Sequence, residues 1–239
     1  MATPKKNPRY VTPRGRLFFP ALQEPDTKFD PNKPVYKTGL LLDANAPETL
    51  ALIETLQAYF DEAEEAARVG FEELKPAAKK KLGEYKMHPF YEEVLDDDTG
   101  DPTGDVRFNF KTNAFMTYKK GPKAGQTVEN KVRIIDAKKK PFPKNVPIWG
   151  GSEARIQFDV APFFVPGTGL GGLSLRMNVV QIIELNSSVT GGGLDQFDEE
   201  DGFDASELSE EETQNPKTKQ ASPQESADED DTDDTEDDF

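Results

Sequence analysis

Apolar and polar positions alternate along most of this chain, and one stretch departs from the alternation. Val106, Phe108, Phe110 and Thr112 alternate with Arg107, Asn109 and Lys111, and Ala154, Ile156, Phe158 and Val160 alternate with Arg155, Gln157 and Asp159. A period of two sends successive side chains to opposite faces, so each run predicts a strand with one face on a core and the other in water. Residues 16–22 (RLFFPAL) and 34–42 (PVYKTGLLL) predict two earlier strands with proline-rich turns between them. Residues 128–136 (VENKVRIID) predict another, leading through a lysine and proline turn to Trp149. Leu173, Leu175, Met177 and Val179 begin a final strand that ends near Leu185. Over residues 46–68 the period becomes helical. Leu50, Ile53, Leu56, Phe60, Ala63 and Ala67 fall on one side, opposite Glu and Gln. Asn45 is placed to cap this helix, Pro47 suits its first turn, and Gly70 is placed to end it, before a linker carrying Lys75, Lys79, Lys80 and Lys81. Short alternating strands with one inserted amphipathic helix predict a mainly β fold, a small half-open β-barrel.

Charge divides the chain at Gly193. Residues 194–239 carry 20 Asp and Glu against 2 Lys and Arg, whereas residues 1–193 carry 25 against 27. The formal net charge of −16 therefore belongs to the tail and hides a slightly basic body. That asymmetry suits a folded domain that meets a polyanion and a tail that meets basic partners or the domain itself. Beyond the glycines at 191–193 no apolar period remains, which predicts a flexible hinge and a disordered acidic C-terminal tail. The expected organisation is a flexible basic arm over 1–13, one folded domain over 14–190, and hinge plus tail over 191–239. Acidic density rises towards the end, and Phe239 is the last residue. Asp233, Asp234, Glu236, Asp237 and Asp238 read as steering charges, with the Phe239 ring as the group that fills a partner's pocket. A purely solubilising tail has no need of that ring.

Enzyme chemistry finds little support. The chain has no cysteine and one histidine, His88, set in a turn-like His88-Pro89-Phe90, so a cysteine-ligated or histidine-cluster metal site is excluded. The glycine run from Gly167 to Gly172 precedes a strand pattern and lacks Gly-Lys-Ser/Thr, which makes it a hairpin tip rather than a phosphate loop. The acidic residues at 96–101 lack the ligand spacing and closing Glu of a calcium loop and read as a solvated turn. No catalytic residue, cofactor or metal is expected. No signal peptide or membrane-length apolar run is apparent, which predicts a soluble, cytoplasmic protein.

The pattern of cations and aromatics is more informative. Arg107 and Lys111 share the polar face of their strand, and continued alternation puts Phe115 on it too. Arg155 lies on the polar face of its own strand, with Phe163 and Phe164 at its exit, where a loop would present them. Cations track phosphates while exposed rings take stacked bases, the combination that single-stranded nucleic acid needs. Charged outer faces are also ordinary in β-domains, which bury most of their aromatics, so the pattern alone leaves both readings open.

From Pro34 onward the chain resembles a known family, the single-stranded DNA-binding proteins of T-odd-type short-tailed lytic bacteriophages. The resemblance lies in Val35-Tyr36-Lys37, Phe108-Asn109-Phe110-Lys111, Val146-Pro147-Ile148-Trp149-Gly150-Gly151, Val160-Ala161-Pro162-Phe163, Val180-Gln181-Ile182-Ile183-Glu184-Leu185, the triple glycine and the final Asp-Asp-Phe. It implies an OB-fold barrel with an inserted helix that binds single-stranded DNA with little sequence preference. It also implies a place in phage DNA replication in the cytoplasm of the infected host. The acidic tail is then expected to contact the phage DNA polymerase and helicase–primase and to take part in homodimerisation. Lys111 and Phe163 are the positions that carry over as DNA contacts, Phe163 standing where the family usually has tyrosine. Two rival readings are an acidic-tailed chaperone for basic, histone-like proteins, which leaves the basic body unexplained, and a magnesium nuclease at 96–101, whose carboxylates crowd one turn.

Overall fold

The structure, a computed structural model, describes residues 7–118 and 121–186. The first six residues of the expected arm, Lys119, Lys120, the glycine hinge and the acidic tail with Phe239 lie outside the described residues. The described chain runs β1 (Arg9–Val11), β2 (Gly15–Asp26), β3 (Val35–Asp43), α1 (Pro47–Glu72), α2 (Pro76–Leu82), β4 (Lys86–His88), β5 (Glu92–Leu95) and β6 (Pro102–Asn113). It continues through β7 (Phe115–Thr117), β8 (Thr127–Glu129), β9 (Arg133–Ile135), β10 (Glu153–Val165) and β11 (Leu170–Glu184).

Five strands close on one another. β2 pairs antiparallel with β3, β3 with β6, and β10 with both β2 and β11. A parallel contact of β11 with β6, Leu175 beside Phe110, completes the ring. This is an OB-fold-like β-barrel, with α1 inserted between its second and third strands and packed on β10 and β11. The alternation supplies its interior: Leu17, Leu40, Phe108, Phe110, Ile156, Phe158, Val160 and Met177 all point inward and are buried. Two rings of that interior, from strands far apart in sequence, bind it together: Phe110 meets Phe158 edge-on at 5.1 Å between centroids.

Several expectations need correction. The arm is not loose over residues 9–12. β1 zips onto β10, Thr12 is buried with its hydroxyl accepting the Ile156 N–H at 2.9 Å, and the Tyr10 and Tyr59 hydroxyls meet at 2.7 Å. The helix runs four residues past the expected end at Arg68, and Gly70 lies inside it. The missing Cβ there admits the Phe164 ring, which would otherwise stand 2.8 Å from it. Ala46, not Asn45, is the N-cap, without a side-chain cap. Leu50 faces out, while Thr49 and Leu52 are buried, because the barrel meets the helix about one position round from the apolar stripe. The lysine linker folds as α2. His88 belongs to a short strand beside β11 rather than a turn. The expected strand over 128–136 is two pieces, β8 on β7 and β9 on β11. In the last strand a register shift at Asn178 reverses the phase, so Val180 and Ile182 face in where Val179 was expected. Among the described residues no helix is long and apolar enough to cross a membrane.

Candidate nucleic-acid interface

The outward positions of β2, β3, β6 and β5 line up in rows. Arg16, Leu41, Arg107 and Glu92 form one row across the four strands, Phe18, Gly39 and Asn109 the next, and Ala21, Lys37 and Lys111 a third. The face is therefore cationic at both ends and aromatic in the middle.

Beside it, β2 slips register between Phe18 and Ala21. At the slip Phe19 takes φ +43°, a left-handed conformation that is costly for a bulky residue. Its ring is 77 % exposed and stands edge-on to Phe18, centroids 4.5 Å apart. Phe29, in the loop joining β2 to β3, is 91 % exposed, with Lys37 Nζ 5.0 Å from its centroid. Exposed Trp149 completes the set. Its segment is held along β2 by the Gly151 N–H on the Leu17 carbonyl (2.7 Å) and the Leu17 N–H on the Ser152 carbonyl (2.8 Å). Phe18, Phe19, Phe29 and Trp149 line one groove of about 1140 Å³, with Arg16, Lys28 and Lys37 among its walls.

Three cations of the face have carboxylate partners. Lys37 pairs with Asp26 at 2.5 Å, Arg16 with Asp105, and Arg107 with Glu92. The Lys37 ammonium, helped by the Lys28 backbone N–H, holds the Asp26 carboxyl below the usual carboxylate range. Lys111 is exposed and has no ion pair among the described residues. Exposed rings beside cations offer stacking platforms to unpaired bases and charges to their phosphates. In OB-folds generally the second and third barrel strands, with the loops after the first and fourth, are the face that takes oligonucleotides. Here those are β3, β6 and the loops holding Phe29 and Gly167–Gly169.

A family profile described as the single-stranded DNA-binding protein of bacteriophage T7 matches residues 17–185. The chain belongs to that family. It is 27 % identical over 176 residues to the single-stranded DNA-binding protein of Enterobacteria phage T3, and 26 % identical over 175 residues to that of Escherichia phage T7. Each alignment covers 72 % of both chains. The crystal structure of gp2.5, the single-stranded DNA-binding protein encoded by bacteriophage T7, superposes with a TM-score of 0.59 at 22 % identity, covering 83 % of this chain and 99 % of that one. At that identity the superposition speaks for the fold.

In this family member the expected site residues divide. Arg107 and Lys111 stand on the outer face together, and exposed Phe115 continues their alternation into β7. Arg107 is less free than expected. Its guanidinium holds Glu92, and its Nε is buried without a hydrogen-bond partner among the described residues. Arg155 stands on β10, its Nε donating to the Thr12 carbonyl at 3.1 Å, and does not line the groove. Phe163 is not presented by a loop. β10 continues through it to Val165, and its ring lies half-buried over Gly172, its cross-strand partner. The docking residues Asp233, Asp234, Glu236, Asp237, Asp238 and Phe239 lie outside the described residues.

The sequence pattern placed Phe18, Phe19 and Lys37 in strands and Trp149 after a turn, but it marked none of them, nor Phe29, as a site residue. One signal was available. Two adjacent phenylalanines in a strand cannot both face inward, so Phe18-Phe19 had to expose a ring or distort the strand. The structure does both. Residues 96–101 form a turn, in which Asp96 accepts the Asp98 and Thr99 N–H groups.

Proposed function

We propose that this chain binds single-stranded DNA, with little sequence preference, in the groove on the outer face of β2 and β3 and onward across β6. The observation that carries the reading is the gathering of Phe19, Phe29 and Trp149, all exposed, around one groove walled by Arg16, Lys28 and Lys37. Packing alone does not call for this many rings on a water-facing surface. A base stacked on each contributes about 1–3 kcal/mol, and any base has a face to offer, hence the weak sequence preference. The T3 and T7 relatives, named as single-stranded DNA-binding proteins, support the same substrate.

The role follows from this binding. The protein coats exposed strands during phage DNA replication in the host cytoplasm, without chemistry of its own. The tail beyond residue 190 serves as the docking segment for the phage DNA polymerase and helicase–primase, and for a second copy of the chain. The charge of residues 194–239 and the terminal Phe239 support that role. The deciding experiment is a titration of Trp149 fluorescence with oligo-dT and with duplex of equal length at ~0.15 M salt. Quenching by oligo-dT and a much weaker response to duplex are expected. Equal affinity for the two ends the reading.

A further inference from the structure

Two carboxylates of this face are placed behind its cations, and a third lies beside one. The Asp26 side chain is 10 % exposed where its partner Lys37 is 36 % exposed, and Asp105 is 21 % exposed where Arg16 is 55 % exposed. In both pairs the cation points outward over an acid beneath it. Glu92 lies directly across from Arg107 in the β5–β6 register and pairs with it at comparable exposure. Each acid is fixed by structure. Asp26 accepts the Lys28 N–H at 2.7 Å, and Asp105 is locked opposite Asp43 in the β3–β6 ladder.

We propose that Asp26, Glu92 and Asp105 are specificity determinants that make this face reject duplex DNA. The inference rests on the reading of the face as a single-strand site. Duplex presents one phosphate charge per ~1.7 Å of axis, against ~3.4 Å along one strand. Each protein cation that meets a phosphate steepens the logarithmic salt dependence by about 0.9 on duplex but about 0.7 on a single strand. A face of bare cations thus favours the double helix. Stacking works the other way, because paired bases offer no free face to Phe19, Phe29 or Trp149. Carboxylates set behind Arg16 and Lys37 and beside Arg107 cancel the share of attraction that favours duplex and leave the share that only an unpaired strand collects. The Arg16–Asp105 and Arg107–Glu92 pairs are partly exposed and add little to fold stability, so Asp105 and Glu92 are replaceable without loss of the barrel.

The test is the triple variant D26N/E92Q/D105N, measured against labelled oligo-dT and duplex of equal length from ~0.05 to ~0.5 M salt. Both ligands should bind more tightly at low salt, the duplex more so. If all three freed cations meet phosphates, the duplex slope steepens by up to about 2.7 and the single-strand slope by up to about 2.1. The preference for single strands then falls about sixfold at ~0.05 M salt. Unchanged slopes, or equal gains on the two ligands, overturn the proposal. Asp26 is the most enclosed of the three, so the double variant E92Q/D105N provides a second measurement should the triple variant misfold, with about a threefold fall in preference expected. A wild-type protein that ignores oligo-dT defeats the binding reading itself and this inference with it. Wild-type binding with unaltered preference in both variants defeats the inference alone.

Discussion

The guanidinium carbon of Arg107 stands 5.1 Å from the centroid of the Phe18 ring, and the two side chains meet across Gly39 on the strand between them. A Cβ on Gly39 would lie 3.1 Å from the Phe18 Cβ and 3.2 Å from the Arg107 Cδ. The glycine is what lets ring and cation close over the middle strand. Paired with Glu92 and seated over the ring, Arg107 fixes Phe18, the inner ring of the groove.

Gly39→Val should therefore do two things at once. Forcing the ring and guanidinium apart should cost about 1–3 kcal/mol of stability, the usual range for overpacking. It should also weaken oligo-dT binding even at temperatures where the variant is fully folded. Thermal melts and titrations on the same sample separate the two effects, and unchanged affinity would remove the Phe18–Arg107 contact from the site.

The groove rings should separate binding from stability. Phe29→Ala and Trp149→Ala should each lose about 1–3 kcal/mol of binding free energy with little change in melting temperature, as stacking platforms do. Phe108→Ala removes a fully buried ring and should cost ~3–5 kcal/mol of stability. Phe19 adds a backbone test. At φ +43° glycine is the better residue, so Phe19→Gly should be about 1 kcal/mol more stable than Phe19→Ala while binding DNA equally poorly.

Lys111 and Lys37 are cross-strand partners with unlike surroundings. Lys111, which has no ion pair among the described residues, should account for a full phosphate contact, so Lys111→Ala should flatten the salt dependence of binding by roughly 0.7. Lys37→Ala removes a cation already balanced by Asp26 and should flatten it less. Equal slopes for the two variants would contradict this difference in role.

Acid should unfold the domain through identifiable carboxylates. Lys37 and the Lys28 N–H lower the folded pKa of Asp26, Arg68 lowers that of Glu65, Lys79 that of Glu72, and the Thr99 and Asp98 N–H groups that of Asp96. A depressed folded pKa contributes stability that is complete above the unfolded value, ~3.9–4.3, and disappears as pH falls through the folded value. Stability should thus be flat near neutrality and fall below about pH 4. Asp26→Asn should be less stable at pH 7 and show a shallower acid limb. Denaturant melts across the pH range read both, and an unaltered acid limb would show that Asp26 takes no part.

The tail offers a dissociation of functions. Deleting 215–239 should raise affinity for oligo-dT, most visibly at low salt, because a tethered polyanion competes with DNA and salt screens it. Phe239→Ala keeps every acidic residue, so it should leave DNA affinity unchanged and weaken docking to the polymerase and helicase–primase. Identical behaviour of the two variants in both assays would show that the ring is no separate anchor.

Local repetition was enough to establish much of this molecule. The inward faces of β3, β6 and β10, the helical period of α1 and the hairpin at 167–172 are each written in neighbouring residues, because alternation and helical spacing act over a few positions at a time. The outward placement of Arg107, Lys111 and Phe115 was legible for the same reason. The charge boundary at Gly193 needed only counting. Three-dimensional closure decided the rest. The slip at Phe18–Ala21 and the phase reversal at Asn178 arise from curving strands into a ring, a demand that no single strand records. Arg155 and Phe163 carried the right residue types on a strand that does not line the groove. Phe19, Phe29 and Trp149 share that groove, and Arg16 meets Asp105, only because β2 is flanked by β3 on one side and by the segment entering β10 on the other. The chemistry of each residue is a property of the sequence; which residues act together is a property of the closed barrel.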